Sequence, residues 1–462
     1  MAVTVNETWR RLQTEVVDAG LCTHCGACVG LARGHLQMVQ TPDGPLPQPV
    51  RGGQHVHLPP LAYAACPGKG VDYPGLRQFV FGGQPENGLM GNYRSVFIGY
   101  AGDEGVRRRG ASGGVITQTL LYLLENGRIQ GAVVVQQGQP KAYLARPIIA
   151  TSPAQILAAA QSVYQPVPVN EILAAMAGFN GRLAYVGLPD QVAALRELQR
   201  QGHPGALKVA LVLGPYTGTN LYLEAIASYL RSQGVHSLDE VVELKYREGE
   251  WPGHLLIRLK DGRIFRAEKF YYNYLIPFFI TRSSLLSVDF TNELTDISVG
   301  DAWHPRYEAQ GAGFSVVAAR TAQGEALLQE MAANGALVLD ETSLDDALSM
   351  HGHMLDFKKR GAFIRLDWRR KWGRRVPEYG YRPTAVPISR KLVEVVISGI
   401  FLVGRTRLAR RIIEVLPLSL VGPLFNTLRR TWKDLSKPTK RKGLANVEFV
   451  FDHEQSNQTT RR

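Results

Sequence analysis

Thiols are scarce in this chain. Four cysteines stand among 462 residues, and all of them fall within two short stretches, "GLCTHCGACVG" and "AACPGKG". A chain of this length buries enough core to need no covalent staples, and clustered cysteines do not suit disulfides between distant elements. The pattern points instead to a metal centre in a reducing compartment. Also lacking is an unbroken apolar run of the ~20 residues that a membrane-spanning helix takes. The opening "MAVTVNETWRRLQTEVVDAG" has no apolar stretch of roughly 7–15 residues behind a basic start, so the N-terminal part is expected to stay in the cytoplasm. No internal repeat or low-complexity segment is evident, and the composition is that of an ordinary globular protein of two or three domains.

What the chain has is spacing. Cys22, Cys25 and Cys28 form a C-x2-C-x2-C run and Cys66 precedes Pro67, the arrangement in which one tight loop supplies three thiolates to a cubane and a remote residue supplies the fourth. Gly26 relieves crowding in that loop. Zinc is the competitor, but it usually takes two separated C-x2-C knuckles. Four cysteines allow one 4Fe-4S cluster of this type.

The formal charge of +13 is unevenly placed: between Arg405 and Lys442 eleven Lys and Arg face only Glu414 and Asp434. The isoelectric point is therefore a statement about the tail. In the tail, "LVEVVISGIFLVG" and "IIEVLPLSLVGPLFNTL" are apolar runs broken by Glu394, Glu414, Pro417 and Pro423. They read either as amphipathic helices in a membrane interface, with arginines on anionic headgroups, or as helices docked on the protein's own core. Ahead of them, residues 357–383 interleave aromatics with many cations, a basic wrap-around element that meets an anionic substrate or leads into the tail. Nucleic acid is not the expected partner.

Strand-like and helix-like segments alternate from Ser95: "SVFIGYA", "GGVITQTLLYLLENG", "GAVVVQQ", "PAQILAAAQ", "LAYVGL", "PDQVAALRELQRQG" and "LKVALVLG". This alternation predicts an α/β core with some parallel pairing, mixed with α+β elements. "HLLIRLKDGRIFRAEKF" predicts a hairpin around Asp261-Gly262, and "QTPDGPLPQPVRGGQ" reads as turns. Domain boundaries are expected near 1–85 (a small ferredoxin-like module), 86–350 (a mixed α/β flavin-binding domain), 351–386 (the basic segment) and 387–462 (a helical basic tail). Gly110-Ala111-Ser112-Gly113-Gly114 stands directly before a predicted helix, where free amides favour phosphate, and Arg107 to Arg109 could add charge-assisted contacts. A tight helix cap beside a solvated basic run would read the same.

Taken in order, "LCTHCGACVG", "ACPGKGVDYPG", "GASGGVITQTLLYLLENGRIQGAVVV", "QSVYQPVPVNEIL", "VGLPDQVAALREL" and "TDISVGDAWHP" resemble the coenzyme F420 hydrogenase/dehydrogenase β-subunit family, which includes 7-hydroxymethyl chlorophyll a reductase and ferredoxin-type divinyl chlorophyllide reductase. The resemblance covers roughly residues 15 to 345. It implies a flavoprotein in which FAD exchanges electrons with an iron–sulfur cluster and hydride moves to or from an organic substrate, with ferredoxin or the deazaflavin coenzyme F420 as electron partner. Ser112, Gly113, Gly114, Ser162 and Tyr164 then fall in motifs lining the flavin or substrate pocket. Asp301 either closes a turn beside that pocket or simply ends a strand. The rivals are a non-catalytic electron-transfer subunit of a larger complex and a reductase in polysaccharide biosynthesis at the membrane.

The chain departs from its family at four places. Where many members carry ligands of a second cluster, it has Asp190, Thr217, Ser284 and Ser287. Serine and aspartate are poor cubane ligands, so one cluster is expected, and the vacated space should hold substrate, water or polar packing. Asp190 is either an acid/base residue or a first-turn residue of the following helix. His304 is a candidate proton donor or a surface-loop histidine. His55 and His57 are too close in sequence to make a metal site unaided.

Overall fold

The computed structural model describes residues 4–50, 55–268 and 273–451. Its β-branched segments assemble into one mixed sheet of β1 (Ser95–Ala101), β2 (Gly131–Gln137), β3 (Ala145–Ala150), β4 (Leu183–Val186), β5 (Val209–Pro215), β6 (Ile297–Asp301), β7 (Ser315–Ala319) and β8 (Leu337–Glu341). The order across the sheet is β8-β1-β7-β6-β5-β4-β2-β3. Parallel pairs join β2, β4, β5 and β6, and the flanking strands pair antiparallel. The expected α/β core with partial parallel pairing is the one that forms.

Side chains alternate between the two faces of each strand, and both faces are covered. Ala132, Val134, Ala184, Leu211 and Leu213 pack with one helical layer, while Val133, Leu183, Tyr185 and Val212 share a core with Trp9, Leu12, Leu58 and Tyr73 of the cysteine-bearing region. That region is thus seated on the sheet. The helices that matter below are α1 (Ala27–Leu31), α2 (Val115–Glu125), α3 (Pro189–Arg200), α4 (Leu344–Asp356), α5 (Ala362–Lys371), α6 (Ile388–Gly404), α7 (Arg407–Val415) and α8 (Leu418–Arg441).

The hairpin around Asp261-Gly262 forms, pairing His254–Leu259 with Ile264–Glu268 beside Val241–Glu248. The proline-rich stretch differs from its reading as turns: Leu36–Thr41 pairs antiparallel with Gly44–Pro49. Pro45, Pro47 and Pro49 alternate, so the missing N–H groups all lie on the outer edge of the ribbon, where none is needed. The ribbon folds onto the cysteine loop, with the His24 ring Nδ1 2.9 Å from the Pro45 carbonyl.

The basic stretch after Phe357 begins inside the protein, and only its later part, from Arg370, lies on the surface. Lys358, Lys359, Arg360 and Arg365 are buried because acids wait for them. Glu293 holds Arg77 at 2.6 Å and also pairs with Lys359. Asp356 takes both Arg360 (2.7 Å) and Arg390 (2.8 Å), and Glu394 takes Arg390 (2.9 Å) and Arg365 (2.6 Å). Glu394, which breaks the apolar run of α6, is therefore an inward-facing anchor. Glu414 plays the same part in α7, pairing with Arg231 at 2.6 Å.

Of the two readings of the tail, docking on the protein's own core holds in part. Ile413, Phe401, Val421 and Phe425 pack against the three-stranded sheet, yet Ile388, Leu392, Leu402, Leu408, Val415 and Leu428 are among the large side chains left exposed. Among the described residues no helix is long and apolar enough to cross a membrane.

Burial pushes the Glu293 carboxyl up, but Lys359 and Arg77 outweigh it and bring it down from 4.5 to about 2. A depressed carboxylate stabilises the fold above its ordinary value, and that stabilisation is lost as pH falls from about 4.5 towards 2. Glu293→Gln, which strands two buried cations, should cost about 3–5 kcal/mol near neutrality. Urea denaturation of both proteins should show the gap closing as pH is lowered through that window.

Candidate functional site

The thiols come first. Cys22, Cys25 and Cys28 lie on the loop entering α1, and Cys66 follows the short helix Pro60–Ala64. Gly26 sits at the α1 N-cap with φ +83°, and a Cβ there would lie 2.7 Å from the Pro168 carbonyl oxygen; the crowding that glycine relieves is with the 165–172 segment. Burial pushes the Cys22 thiol up to about 12, and Cys25, Cys28 and Cys66 rise for the same reason; Cys22, Cys25 and Cys28 also feel others of the four, and Cys66 feels Asp190. Backbone amides oppose the rise: His24 N–H donates to Cys22 Sγ at 3.4 Å, and amides of Ala27, Val29 and Gly68 favour the thiolates of Cys25, Cys28 and Cys66. Buried thiols facing amide donors suit thiolates whose charge a metal balances. Among the described residues no three Cys, His or acidic groups close around a point as a single metal ion requires, whereas a cubane holds its ligands further apart. The donor set fits a cluster.

Across the sheet edge lies a cavity of about 1,120 Å³, above the usual range for a small-molecule site. The Gly110–Gly114 turn leads into it at the start of α2, whose first-turn amides have no intrahelical acceptor. Two glycines there are required by space. Gly114 has φ +75°, and a Cβ on Gly113 would lie 2.5 Å from the Gly99 carbonyl oxygen. Ser112, Gly114, Ser162, Tyr164 and Asp301 all line this cavity. Gly113 lies just behind them, its N–H donating to Ser315 Oγ at 2.9 Å.

Asp301 ends β6 and faces the cavity, so both of its readings describe one position. Its carboxylate holds the buried Arg247 guanidinium at 3.2 Å and accepts from Trp251 Nε1 at 3.0 Å. Arg107 is not among the lining residues. Its guanidinium stacks on Tyr100 and Phe314 and donates to the Gly313 carbonyl at 3.0 Å, while Arg108 pairs with Glu104 on the surface. His304 is exposed and caps the helix Pro305–Glu308, its Nδ1 accepting from the Arg306 amide at 3.2 Å; it lies outside the cavity wall.

Asp190, Thr217, Ser284 and Ser287, dispersed over almost a hundred positions, meet in a second cavity of about 30 Å³ between the cysteine loop and the large cavity. That is space for one or two waters. The remaining volume is polar packing: Lys358 Nζ donates to the Ser284 carbonyl at 2.7 Å, and the Asn220 amide donates to Ser284 Oγ at 2.8 Å. Asp190 is at once a first-turn residue of α3 and a wall of this cavity. Burial pushes its carboxyl up to about 7 and the Lys358 ammonium down to about 7, each partly offset by the other.

Sequence reasoning missed the far wall of the large cavity. His351 and His353 of α4, and Arg430, Lys433, Lys437 and Lys440 of α8, line it. The spacing of the α8 cations at three and four was the available signal. It was masked by reading the tail for its apolar runs.

Two family models of the "Coenzyme F420 hydrogenase/dehydrogenase, beta subunit" match consecutive parts of the chain, the N-terminal model over residues 96–174 and the C-terminal model over residues 180–344. The chain belongs to this family. A coenzyme F420 hydrogenase β subunit of Methanococcus voltae is 25% identical over 268 residues, 56% of this chain and 87% of the relative. The coenzyme F420-dependent sulfite reductase of Methanocaldococcus jannaschii is 22% identical over 377 residues, 78% of this chain and 54% of the relative. Among solved structures, a chain of the F420-reducing NiFe hydrogenase complex of Methanosarcina barkeri aligns with TM-score 0.49 and 21% identity, covering 63% of this chain and 96% of that one. The family models reach no further than the first residue of α4, so neither spans the far wall.

Because its Cβ would meet backbone, Gly113→Ala should destabilise the protein by about 1–3 kcal/mol. Chemical denaturation should show that loss, and an unchanged midpoint would mean that the α2 turn is looser than its contacts imply.

Proposed function

We propose that this chain is an oxidoreductase in which one 4Fe-4S cluster on Cys22, Cys25, Cys28 and Cys66 exchanges electrons with FAD held in the large cavity. The observation that carries this reading is a shared wall. Thr23 and His24 of the cysteine loop line the small cavity together with Leu188, Gln191, Thr217 and Asn220, and those four residues also line the large one. Bound FAD converts between single electrons and a hydride. The protein's own groups have simpler tasks. Gly110–Gly114 and the start of α2 favour a diphosphate, Ser112, Ser162 and Tyr164 position the flavin and substrate, and Asp301 with Arg247 fixes the polar edge of the cavity. Asp190, in the intervening small cavity, is proposed as a proton-holding group beside Lys358.

The electron partner in this reading is the deazaflavin coenzyme F420, which the names of the relatives carry, or a ferredoxin, and the substrate is a small organic molecule. A role as an electron-transfer subunit of a larger complex is the second reading, favoured by the hydrogenase subunits among the relatives. Anaerobically purified protein should carry about four iron, four acid-labile sulfides and one FAD per chain. Cys66→Ser should lose the iron and keep the flavin. Iron without flavin in the parent protein would leave the second reading standing alone.

We also propose that the chain sits peripherally on the cytoplasmic face of a membrane. Leu420, Leu424, Leu428 and Leu435 are each more than 60% exposed and recur at intervals of four and seven on one side of α8, next to a strongly cationic tail. Deleting the tail would remove Arg390 and Glu394 from the interior network, so a surface change is the sharper test. The parent protein should float with vesicles containing anionic lipid, and Leu424→Glu/Leu428→Glu should stay in the soluble layer with its fold intact. Equal flotation of the two would defeat the idea.

A further inference from the structure

Helix α8 is amphipathic the wrong way round. Its leucines at 420, 424, 428 and 435 face outward, while Lys433, Ser436, Lys437 and Lys440, on the opposite side of the helix by their spacing, line the large cavity. A docked helix ordinarily buries its apolar stripe and leaves its cations in water. Here the cationic face of the 24-residue helix lines the cavity, with Lys433 and Lys437 at its solvent-exposed side and Lys440 half-buried, and its C-terminal end is pinned there by the buried Arg360, which donates to the Lys440 and Lys442 carbonyls.

Two buried polar groups in the same wall have no partner. Ser436 is 2% exposed and its Oγ makes no hydrogen bond; His351 is 5% exposed and its Nε2 makes none. A buried hydroxyl and ring nitrogen left unpaired are costly, and both line the cavity. The cations crowd one another. Burial and the neighbouring Arg429 and Lys437 push the Lys433 ammonium down, with Asp434 and Glu308 only partly opposing. Burial likewise pushes Lys440 down against the pull of Asp356 and Glu394.

We propose that the inner face of α8, with Lys433, Lys437 and Lys440 around Ser436 and with His351 opposite, is an anion-binding site that recognises a phosphate or diphosphate group on the substrate. The inference rests on the large cavity being where the redox chemistry takes place and specifies the substrate class that it takes. The phosphate can belong to a soluble molecule or to a lipid headgroup reaching the cavity beneath the leucine face. The same chemistry serves both.

The test titrates full-length protein with inorganic pyrophosphate and, separately, with dihexanoyl phosphatidic acid, measuring iron and FAD in every sample. Saturable binding of either probe, weakened at least tenfold in Lys433→Glu/Lys437→Glu and less than threefold in the surface control Lys371→Glu/Arg374→Glu, is the expected result. Which probe binds identifies the source of the phosphate. No saturable binding of either, or equal weakening in the control, overturns the site. Loss of FAD from the α8 variant also overturns it, by assigning the cations to the cofactor's diphosphate. FAD missing from the parent protein while pyrophosphate still binds would instead defeat the flavin reading and leave the anion site standing.

Discussion

A handful of buried charges decides where the C-terminal third of this protein lies. Lys359, Arg360, Arg365 and Arg390 could not enter the interior alone, because an unpaired buried charge costs several kcal/mol against a total stability of only about 5–15 kcal/mol. They enter in the one register that brings Glu293, Asp356 and Glu394 to them. Replacing such pairs by apolar residues can stabilise a protein, so their value here is in specifying position. Glu293 also holds Arg77 of the cysteine-bearing region, and one carboxylate thereby ties the N-terminal segment, the loop before β6 and the segment after α4 to a common point. The small cavity beside the cysteine loop takes its walls from all three, and the large cavity from the last two.

The consequence of the register is that α6 and α8 reach the large cavity, through Phe401 and the α8 cations, while α7 is held to the body by the Glu414–Arg231 pair. Arg405 donates to the Ile280 carbonyl at 3.0 Å and Arg410 to the Phe278 carbonyl at 2.8 Å, so even the surface arginines of the tail are used to hold it down. A helix so fixed has one side committed to the cavity. With cations on that side, its leucines have nowhere to go but outward, and the exposed apolar face and the electropositive interior are two results of one orientation.

The sheet was legible because its strands are bounded, β-branched and of ordinary length; residues 95–101, 131–137, 183–186 and 209–215 are strands as read. The four cysteines stood out because a cubane demands a spacing that little else does. Composition failed where long-range pairing decided the outcome. Pro45, Pro47 and Pro49 read as turns because a proline count carries no register, and a two-stranded edge tolerates what a central strand would not. The burial of Lys359 left no mark in the sequence because its acid, Glu293, is remote. His304 stood beside a conspicuous Gly-Asp turn and drew attention from His351 and His353, whose only mark was their place on a helix facing the cavity.

In the proposed reading, the presence of Asp190, Thr217, Ser284 and Ser287 where many family members carry cluster ligands alters more than the number of clusters. A second cubane would place four further thiolates between the cysteine loop and the large cavity. In their stead stands a tightly packed pocket with Lys358 and Asp190 offsetting each other's charge and a hydrogen bond from Lys358 to the Ser284 carbonyl. In the proposed reading, electrons cross that pocket in one step instead of pausing in it, which asks only that the two cofactors lie against a common wall. The shared lining residues Leu188, Gln191, Thr217 and Asn220 supply such a wall.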